Sequence, residues 1–272
     1  MARILAVANQ KGGVGKTTTS INLAASLSRM QKRVLLIDLD PQGNATMGSG
    51  IDKNTVELSV YDAITGQCIV QAAIVCNGEA GYAVLPGNSD LTAAEVELMK
   101  RDNGEQQLKL ALEQVAPAYD YILIDCPPSL NMLTLNALVA AQGILIPMQC
   151  EYFALEGLSA LSETISAISG SLNPQLTIEG LVRTMYDPRN KLTEEVSEQL
   201  KRHFGDKVYR TVIPRNVRLA EAPSHGLPVI VYDKTSTGAL AYLALAGELI
   251  RRSSGEGPDL AEETVLAPEQ AN

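Results

Sequence analysis

A glycine-rich loop between an apolar strand and a helix constrains the fold of this chain more than any other feature. The apolar run Ile4–Ala8 is followed closely by Lys11-Gly12-Gly13-Val14-Gly15-Lys16-Thr17-Thr18, and a helical pattern begins at Lys16. A strand, a loop and a helix in this order direct several backbone N–H groups and the positive end of a helix dipole at one point. A phosphate group is the natural occupant of such a point.

The residue types in the loop fit a nucleoside triphosphate with magnesium. The loop glycines permit positive φ angles and a close approach of the backbone to phosphate, which a Cβ would prevent. Lys16 is expected to reach the β- and γ-phosphates, and the Thr17 hydroxyl is expected to bind the metal. The alternative is an ordinary glycine turn before a helix, and the Gly-Lys-Thr context argues against it. We predict ATP and Mg²⁺ as cofactors and ATP hydrolysis as the reaction. The predicted nucleotide-binding residues of the loop are Lys11, Gly12, Gly13, Val14, Gly15, Lys16, Thr17 and Thr18.

Two further apolar runs end in acidic residues. Val34–Ile37 leads into Asp38 and Asp40, and Tyr121–Ile124 leads into Asp125, a sequence typical of a Walker B strand. The carboxyl ends of parallel strands meet at the edge where an open α/β sheet binds its ligand. Each acid taken alone could equally be a turn or helix-cap residue. Together with the glycine loop, they predict a metal and water site at this edge.

The order of apolar runs and helical patterns predicts an α/β fold, a doubly wound, mostly parallel sheet flanked by helices. The predicted strands are Ile4–Ala8, Val34–Ile37, Tyr82–Leu85, Tyr121–Ile124, Ile144–Pro147, Ile178–Met185 and Val208–Val212. The predicted helices are Lys16–Gln31, Leu91–Leu98, Gln106–Val115, Leu130–Ala141, Leu155–Ser169, Thr193–Phe204 and Gly238–Arg252. We expect one domain over residues 1–252 and an acidic, disordered tail over residues 253–272.

Composition narrows the class of protein. The four cysteines have neither Cys-x-x-Cys spacing nor the density of a disulfide-stapled secreted domain. The N-terminal apolar run is too short for a signal peptide, and no stretch approaches the roughly 20 apolar residues of a membrane span. We expect a cytoplasmic protein with no membrane partner and reduced thiols.

The charge is distributed unevenly. The net charge is −9, yet between Arg183 and Arg218 nine Lys or Arg face five Asp or Glu, an excess of four positive charges. The remainder of the chain therefore carries −13. Any face that binds an anionic polymer is expected in this C-terminal third.

The glycine loop departs from the standard Walker A pattern. Gln10 stands where glycine is usual, and Lys11 adds a second lysine, which starts the loop and cannot easily turn back to its own phosphates. This deviant loop resembles that of the ParA/MinD family of P-loop ATPases. The resemblance implies that Lys11 contacts nucleotide in the partner subunit of an ATP-sandwich homodimer. It also implies that Asp40 orients the attacking water, that Asp38 supports the loop or the metal, and that Asp125 holds magnesium through its water ligands. The catalytic candidates are thus Lys11, Lys16 and Asp40, and the metal candidates are Thr17, Asp38 and Asp125.

The resemblance extends from Ala2 to about Arg252 and is greatest to the chromosomal ParA (Soj) branch, through segments 147–157 and 212–226. It implies that Pro214 and Asn216 border the adenine. It further implies that the ATP-bound dimer binds double-stranded DNA without sequence preference, that ParB stimulates hydrolysis, and that the protein is nucleoid-associated. The candidate DNA-binding residues are Arg189 and Arg218, followed by Lys191, Lys201, Arg202 and Arg215. Each of these could instead be a solvated residue on a helix, and Arg215 could instead contact nucleotide.

Rival functions on the same loop make different demands. A MinD-like membrane ATPase needs a C-terminal amphipathic helix with basic and bulky apolar faces, whereas this chain continues after Arg252 into Gly-Glu-Gly-Pro and acidic residues. A metabolic ligase is another class, as is an iron–sulfur reductase, which needs cluster cysteines. Cys126 follows Asp125 directly and Cys150 lies elsewhere in the pattern, so we interpret both as packed thiols.

Overall fold

The structure, a computed structural model, describes residues 2–152 and 154–254. Within these residues one sheet is formed by β1 (Arg3–Val7), β2 (Val34–Asp38), β3 (Val75–Asn77), β4 (Tyr82–Leu85), β5 (Tyr121–Asp125), β6 (Gly143–Gln149), β7 (Thr177–Tyr186) and β8 (Val208–Pro214). The strand order is β3-β4-β2-β5-β1-β6-β7-β8. All of these described neighbours pair in parallel except β3 and β4, which are antiparallel. The predicted α/β class with a mostly parallel sheet is confirmed.

Helices connect the strands. They are α1 (Lys16–Arg29), α2 (Asn44–Gly48), α3 (Val60–Ile64), α4 (Val70–Ala73), α5 (Leu91–Met99), α6 (Gln107–Glu113), α7 (Met132–Ala140), α8 (Ala154–Ser171), α9 (Lys191–Phe204), α10 (Val217–Glu221), α11 (Val229–Tyr232) and α12 (Thr237–Ser254). Short 3₁₀ turns lie at Gly104–Gln106, Ala116–Ala118, Gly205–Lys207 and Ala222–His225.

The sheet separates two apolar layers. Along β1 the side chains of Leu5 and Val7 pack with α1, α11 and α12, whereas Ala6 packs on the opposite face with helices α3 to α9. Successive strand residues point to opposite faces, so a strand covered on both sides must be apolar throughout. All five residues of β2 and of β5 are buried, as this arrangement requires.

The predicted strands and long helices are all present, with ends shifted by a few residues. Capping residues explain two of the shifts. Asn131 accepts hydrogen bonds from backbone N–H groups at the start of α7, so the helix begins at Met132 rather than at Leu130. Asn190 caps α9 in the same way, and this helix begins at Lys191 rather than at Thr193.

The sequence reading missed the shortest elements. These are β3 and helices α2, α3, α4, α10 and α11, each of three to five residues, too short to show a helical or strand periodicity. The last helix continues to Ser254, two residues beyond the predicted boundary. Residues 255–272, which include most of the predicted tail, lie outside the described residues.

Parallel register gathers the acidic strand ends beside the glycine loop. Asp125 at the end of β5 is in register with Val7 of β1 on one side and with Asp38 of β2 on the other. The glycine loop leaves β1 just past Val7. The carboxyl ends of three adjacent strands therefore meet at one edge of the sheet, as an open α/β sheet arranges its ligand site.

Candidate active site

A cleft of about 1000 Å³ opens at this edge. It collects residues from the glycine loop, from the loop after β2, from the loop after β5 and from the ends of β7 and β8. Among the sequence-predicted residues, those that line it are Gly12, Gly13, Gly15, Lys16, Thr17, Thr18, Asp40, Pro214, Arg215 and Asn216.

The loop backbone has the conformation that its glycines predict. Gly13 has φ +73° and Gly15 has φ +86°, angles that side chains rarely adopt. A Cβ built at Gly12 or Gly13 meets no heavy atom within 4 Å. Packing within the protein therefore does not require a glycine at position 12. The space beside this residue is open, a Cβ would occupy it, and a phosphate group at the N-terminus of α1 fits it.

The Lys16 side chain lies within the loop. Lys16 is 8% exposed, and its Nζ donates to the carbonyl oxygen of Lys11 at 3.3 Å. Burial lowers the pKa of this ammonium, while the nearby Asp125 carboxyl raises it. A cation held at the mouth of the cleft, with a single long internal hydrogen bond, is suited to an incoming polyanion.

The Lys11 side chain points elsewhere. It does not line the cleft, is 43% exposed, and forms an ion pair with Glu151 beyond the end of β6, with 2.5 Å between Nζ and Oε2. Its backbone N–H donates to Asn9 Oδ1, which fixes the start of the loop. The two lysines of the loop thus face different surroundings.

Asp125 is fully buried at the base of the loop. Its Oδ2 accepts from Thr17 Oγ1 at 2.8 Å, and its Oδ1 accepts from Ser20 Oγ at 2.7 Å. Burial raises the pKa of the Asp125 carboxyl and the neighbouring Asp38 raises it further, whereas both hydroxyl donors lower it. Hydroxyl and carboxylate oxygens are ligands that magnesium prefers, and a cation here would stabilise the ionised form.

Asp38 is also fully buried, and its oxygens are used within the protein. Oδ2 accepts from the backbone N–H and from the hydroxyl of Thr46, both at 2.7 Å, and Oδ1 accepts from the Asp40 N–H at 3.3 Å. Burial raises the pKa of this carboxyl, and the Thr46 hydrogen bonds oppose the rise. Of the two predicted roles, support of the loop fits these contacts better than metal binding.

Asp40 lies on the turn that Asp38 holds. The Asp40 carboxylate is half-buried, lines the cleft, and accepts a hydrogen bond from the Gln42 N–H at 2.9 Å. Among the described residues, its other oxygen accepts no hydrogen bond from the protein. An acid with one anchored and one available oxygen can orient a water molecule.

The far wall of the cleft comes from the end of β8 and the start of α10. Pro214 ends β8, and Asn216 caps α10 by accepting from the Leu219 N–H at 3.2 Å. Asn216 Nδ2 donates to Thr237 Oγ1 at 2.8 Å. Asn216 thus has a structural role, whatever else it contacts. Arg215 also lines this wall, which favours the nucleotide alternative for that residue.

The predicted DNA-binding cations do not form one group. Arg189 lies beyond the carboxyl end of β7 and pairs with Asp187, and Arg218 lies beyond the carboxyl end of β8 and pairs with Glu221. Asp187 is also close enough to Arg215 for that cation to lower its pKa. Lys191 starts α9 on the same edge. Lys201 and Arg202 lie near the other end of α9, about 15 Å from Lys191 at about 1.5 Å per residue.

Functional contacts that the sequence reading missed include Ser20 on Asp125, Glu151 on Lys11, and Thr184, whose hydroxyl donates to the Val14 carbonyl at 2.8 Å. Ser20 lies three residues after Thr17 on α1, so helical spacing could have indicated it. Glu151 lies within segment 147–157, but the sequence does not indicate that it contacts Lys11, and nothing in the sequence indicates Thr184, because both residues are far from the loop along the chain. Cys126 and Cys150 are buried, as expected of packed thiols.

The fold and the cleft together define a P-loop nucleoside triphosphatase, and known proteins agree with that class. A family model described as an AAA domain matches residues 2–178. The sporulation initiation inhibitor protein Soj of Bacillus subtilis is 54% identical over 249 residues, which are 92% of this chain and 98% of that protein. The chromosome partitioning protein ParA of Caulobacter vibrioides is 52% identical over 252 residues, 92% of this chain and 94% of that protein.

A solved structure agrees as well. Cobyrinic acid a,c-diamide synthase from Mycobacterium smegmatis, with a bound ATP analogue and magnesium, superposes with a TM-score of 0.82 at 38% identity. The match covers 93% of this chain and 96% of that one. The chain belongs to the ParA/MinD family of P-loop ATPases. It is an ATP hydrolase with ATP and Mg²⁺ as cofactors, as the loop predicted. In the described part of the chain, no helix is long and apolar enough to cross a membrane.

Proposed function

We propose that this chain is a chromosome-partitioning ATPase of the ParA type. Its ATP-bound homodimer binds double-stranded DNA without sequence preference, and ParB-stimulated hydrolysis releases it. The observation that carries the proposal is the separation of the two loop lysines. Lys16 faces the cleft, whereas Lys11 lies outside it at the surface, beside Glu151. A lysine so oriented is available to nucleotide held by a second copy of the chain.

Within one subunit, the proposed roles follow from the contacts. Loop amides and Lys16 hold the β- and γ-phosphates, while Thr17 and Asp125 hold magnesium, which neutralises charge on the phosphates when bound. The Thr17 proton is donated to Asp125, so a lone pair of the hydroxyl is free for the metal. Asp40 orients the attacking water. Phosphoryl transfer needs little covalent work from a protein, and such positioning supplies most of the catalysis.

The remaining nucleotide contacts are proposed from the cleft walls. Pro214 and Asn216 border the adenine, and Arg215 on the same wall reaches the nucleotide or a nearby anion. Gly12, Gly13, Val14, Gly15 and Thr18 complete the phosphate loop. The supporting observation is that all of these except Val14 line one cleft, while buried Val14 supplies a carbonyl that Thr184 holds.

The proposed DNA surface is the carboxyl edge of β7 and β8. Arg189, Lys191, Arg215 and Arg218 share this edge, and exposed cations that reach phosphates give affinity without sequence preference. Lys201 and Arg202 are proposed as a weaker, peripheral contribution because α9 carries them to the opposite edge. Two copies of a modest patch bind one duplex far better than one copy, so DNA affinity depends on ATP-driven dimerisation.

The chromosome partitioning protein ParA of Caulobacter vibrioides supports the partitioning role, since it shares about half of its residues with this chain. On that basis we propose ParB as the partner that stimulates hydrolysis, and the nucleoid as the site of action in the cytoplasm. The synthase from Mycobacterium smegmatis marks the ligase alternative, and its identity of 38% is lower. The single domain over residues 1–252 stays part of the proposal.

The decisive experiment measures ATP hydrolysis by the protein alone, with DNA, with ParB from the same source, and with both. We expect the largest rate with both. A rate that neither DNA nor ParB changes would contradict the partitioning function while leaving the ATPase activity intact. The Lys11→Ala variant is the matched control, expected to bind ATP, to remain monomeric with ATP in size-exclusion chromatography, and to lose the stimulation.

A further inference from the structure

A threonine on β7, two strands away from β1 in the sheet, holds the glycine loop. Thr184 of β7 is 3% exposed, and its hydroxyl donates to the carbonyl oxygen of Val14 at 2.8 Å. Val14 itself is 1% exposed. A buried carbonyl that loses its donor has no water to replace it, so this contact constrains the loop.

The contact determines which way one peptide group faces. A trans peptide is planar, and its C=O and N–H point in opposite directions. When the Val14 carbonyl is turned towards β7, the N–H of Gly15 is directed away from β7. Among the described residues, that N–H has no acceptor, and Gly15 lines the cleft at the start of α1. The peptide orientation therefore leaves this N–H for a phosphate.

Because Gly15 follows it, the Val14–Gly15 peptide can rotate easily unless the Thr184 hydroxyl holds the Val14 carbonyl. Gly15 has φ +86°, and a glycine at this position can change its backbone angles with little steric penalty. A reversed peptide would direct the Val14 carbonyl, with its partial negative charge, at the triphosphate.

The local structure of β7 keeps Thr184 in place. The preceding Arg183 is buried on the opposite face and donates to Ser197 Oγ at 2.8 Å and to the Tyr209 carbonyl at 2.8 Å. The following Met185 has φ +49°, a left-handed angle that is rare for residues with a side chain. The register with β8 shifts between Arg183 and Tyr186. An anchored residue before Thr184 and a kink after it fix the direction of its hydroxyl.

We propose that Thr184 is a positioning residue for ATP binding, whose hydroxyl keeps the Val14–Gly15 peptide oriented with its N–H towards the phosphates. The inference rests on the proposed seat of the phosphates in the glycine loop and is independent of the proposed DNA and ParB functions. Thr184 acts through the loop and need not touch the nucleotide.

The test uses two pairs of variants that differ mainly in the hydroxyl. The first pair is the parent protein and Thr184→Val, which keeps the branched shape. The second pair is Thr184→Ser and Thr184→Ala, which both lack the methyl group. ATP and ADP affinities are measured by calorimetry without DNA, together with kcat, KM and thermal unfolding. We expect the parent and the serine variant to agree within about threefold, and the valine and alanine variants to bind about tenfold more weakly. The loss should appear mainly in KM rather than in kcat.

The order of affinities decides between a hydroxyl role and a packing role. If the parent and Thr184→Val bind alike while the serine and alanine variants are both weak, the methyl group matters and the proposal is wrong. Equal affinities in all four proteins also overturn it. Should Thr184→Val fail to fold, the serine and alanine variants still give the comparison. Lys16→Ala tests the phosphate-binding role of the loop separately from the role of Thr184. If Lys16→Ala also leaves ATP affinity unchanged, the glycine loop does not bind the phosphates.

Discussion

The nucleotide cleft and the basic segment 183–218 both collect charged side chains, but they hold them differently. Beside the cleft, Asp38 and Asp125 are fully buried at strand ends and fixed by short hydrogen bonds, and Lys16 is 8% exposed at the start of α1. In the basic segment, Arg189 and Arg218 are exposed and pair with acids of their own neighbourhood. The difference teaches that backbone geometry builds the first site, whereas the second consists of side chains that can exchange partners.

The two regions also differ in how much free energy a charged side chain contributes. A buried charge that loses its partner is costly, whereas an exposed ion pair contributes about 0 to 1 kcal/mol and is screened by salt. We therefore expect substitutions in the cleft to cause large losses of ATP binding or hydrolysis. Substitutions in the basic segment should instead shift DNA affinity by degrees.

The largest expected effect tests the cleft side of the comparison. Lys16→Ala removes the buried cation and should lower ATP affinity by at least about 100-fold, because charge-assisted hydrogen bonds to phosphate are lost. Calorimetric titration with ATP measures it. Lys11→Ala removes the same charge from the same loop, and because Lys11 lies outside the cleft, the isolated subunit should keep its ATP affinity within about threefold. Equal losses in the two variants would erase the distinction between the lysines.

The next effect separates binding from chemistry. Asp40→Ala should leave ATP affinity and ATP-dependent dimerisation nearly unchanged and slow hydrolysis by about 100-fold, since the acid that orients the attacking water is gone. Single-turnover hydrolysis and size-exclusion chromatography with ATP provide the two readouts. Hydrolysis at the parental rate would remove Asp40 from the mechanism.

A smaller effect tests the basic segment. Arg218→Glu should weaken ATP-dependent DNA binding by about tenfold at low salt while sparing ATP affinity, because phosphate contacts dominate non-specific binding. Arg202→Glu is the matched control, since Arg202 also pairs with an acid on its own helix but lies at the far end of α9. Its loss should be about twofold. The reverse order of the two variants would move the DNA surface to the other edge of the sheet.

The smallest effect asks whether local acids restrain the cations. Asp187 pairs with Arg189, and the hydrogen bonds from Arg189 lower the pKa of the Asp187 carboxyl to about 2. Asp187→Asn should free Arg189 and raise DNA affinity by about twofold, with a steeper dependence on salt. Titrations of a DNA duplex at several salt concentrations measure both. Weaker DNA binding by this variant would mean that the pair orients Arg189 for DNA rather than withholding it.

The sequence predicted the cleft well because its parts are local or are tied to strand ends. The glycine loop is recognisable from one continuous stretch of sequence, and parallel pairing brings Asp125 beside Val7 without further information. The long strands and helices have a periodicity that repeats often enough to be recognised. Short elements such as α2 and β3 contain no such repeat, and tertiary contacts determine whether they form.

Contacts between distant segments were beyond the sequence reading. Thr184 reaches Val14 across 170 positions of the chain, and Glu151 reaches Lys11 across 140. Glu151 lies in segment 147–157 and Thr184 in no recognised motif, and neither position indicates which residue it contacts. The charge count of the basic segment was correct, but it did not reveal that α9 carries Lys201 away from Arg189. A net charge gives no information about the positions of the side chains in space.

For the proposed homodimer, the ion pair between Lys11 and Glu151 has an energetic consequence. In a two-fold symmetric dimer each event occurs twice, so both copies of this pair must open before both lysines can cross to the other subunit. Each pair is exposed and weak, with an opening cost of at most about 1 kcal/mol. Because neither pair persists in the proposed dimer, the two costs together would weaken ATP-dependent association by at most about 30-fold.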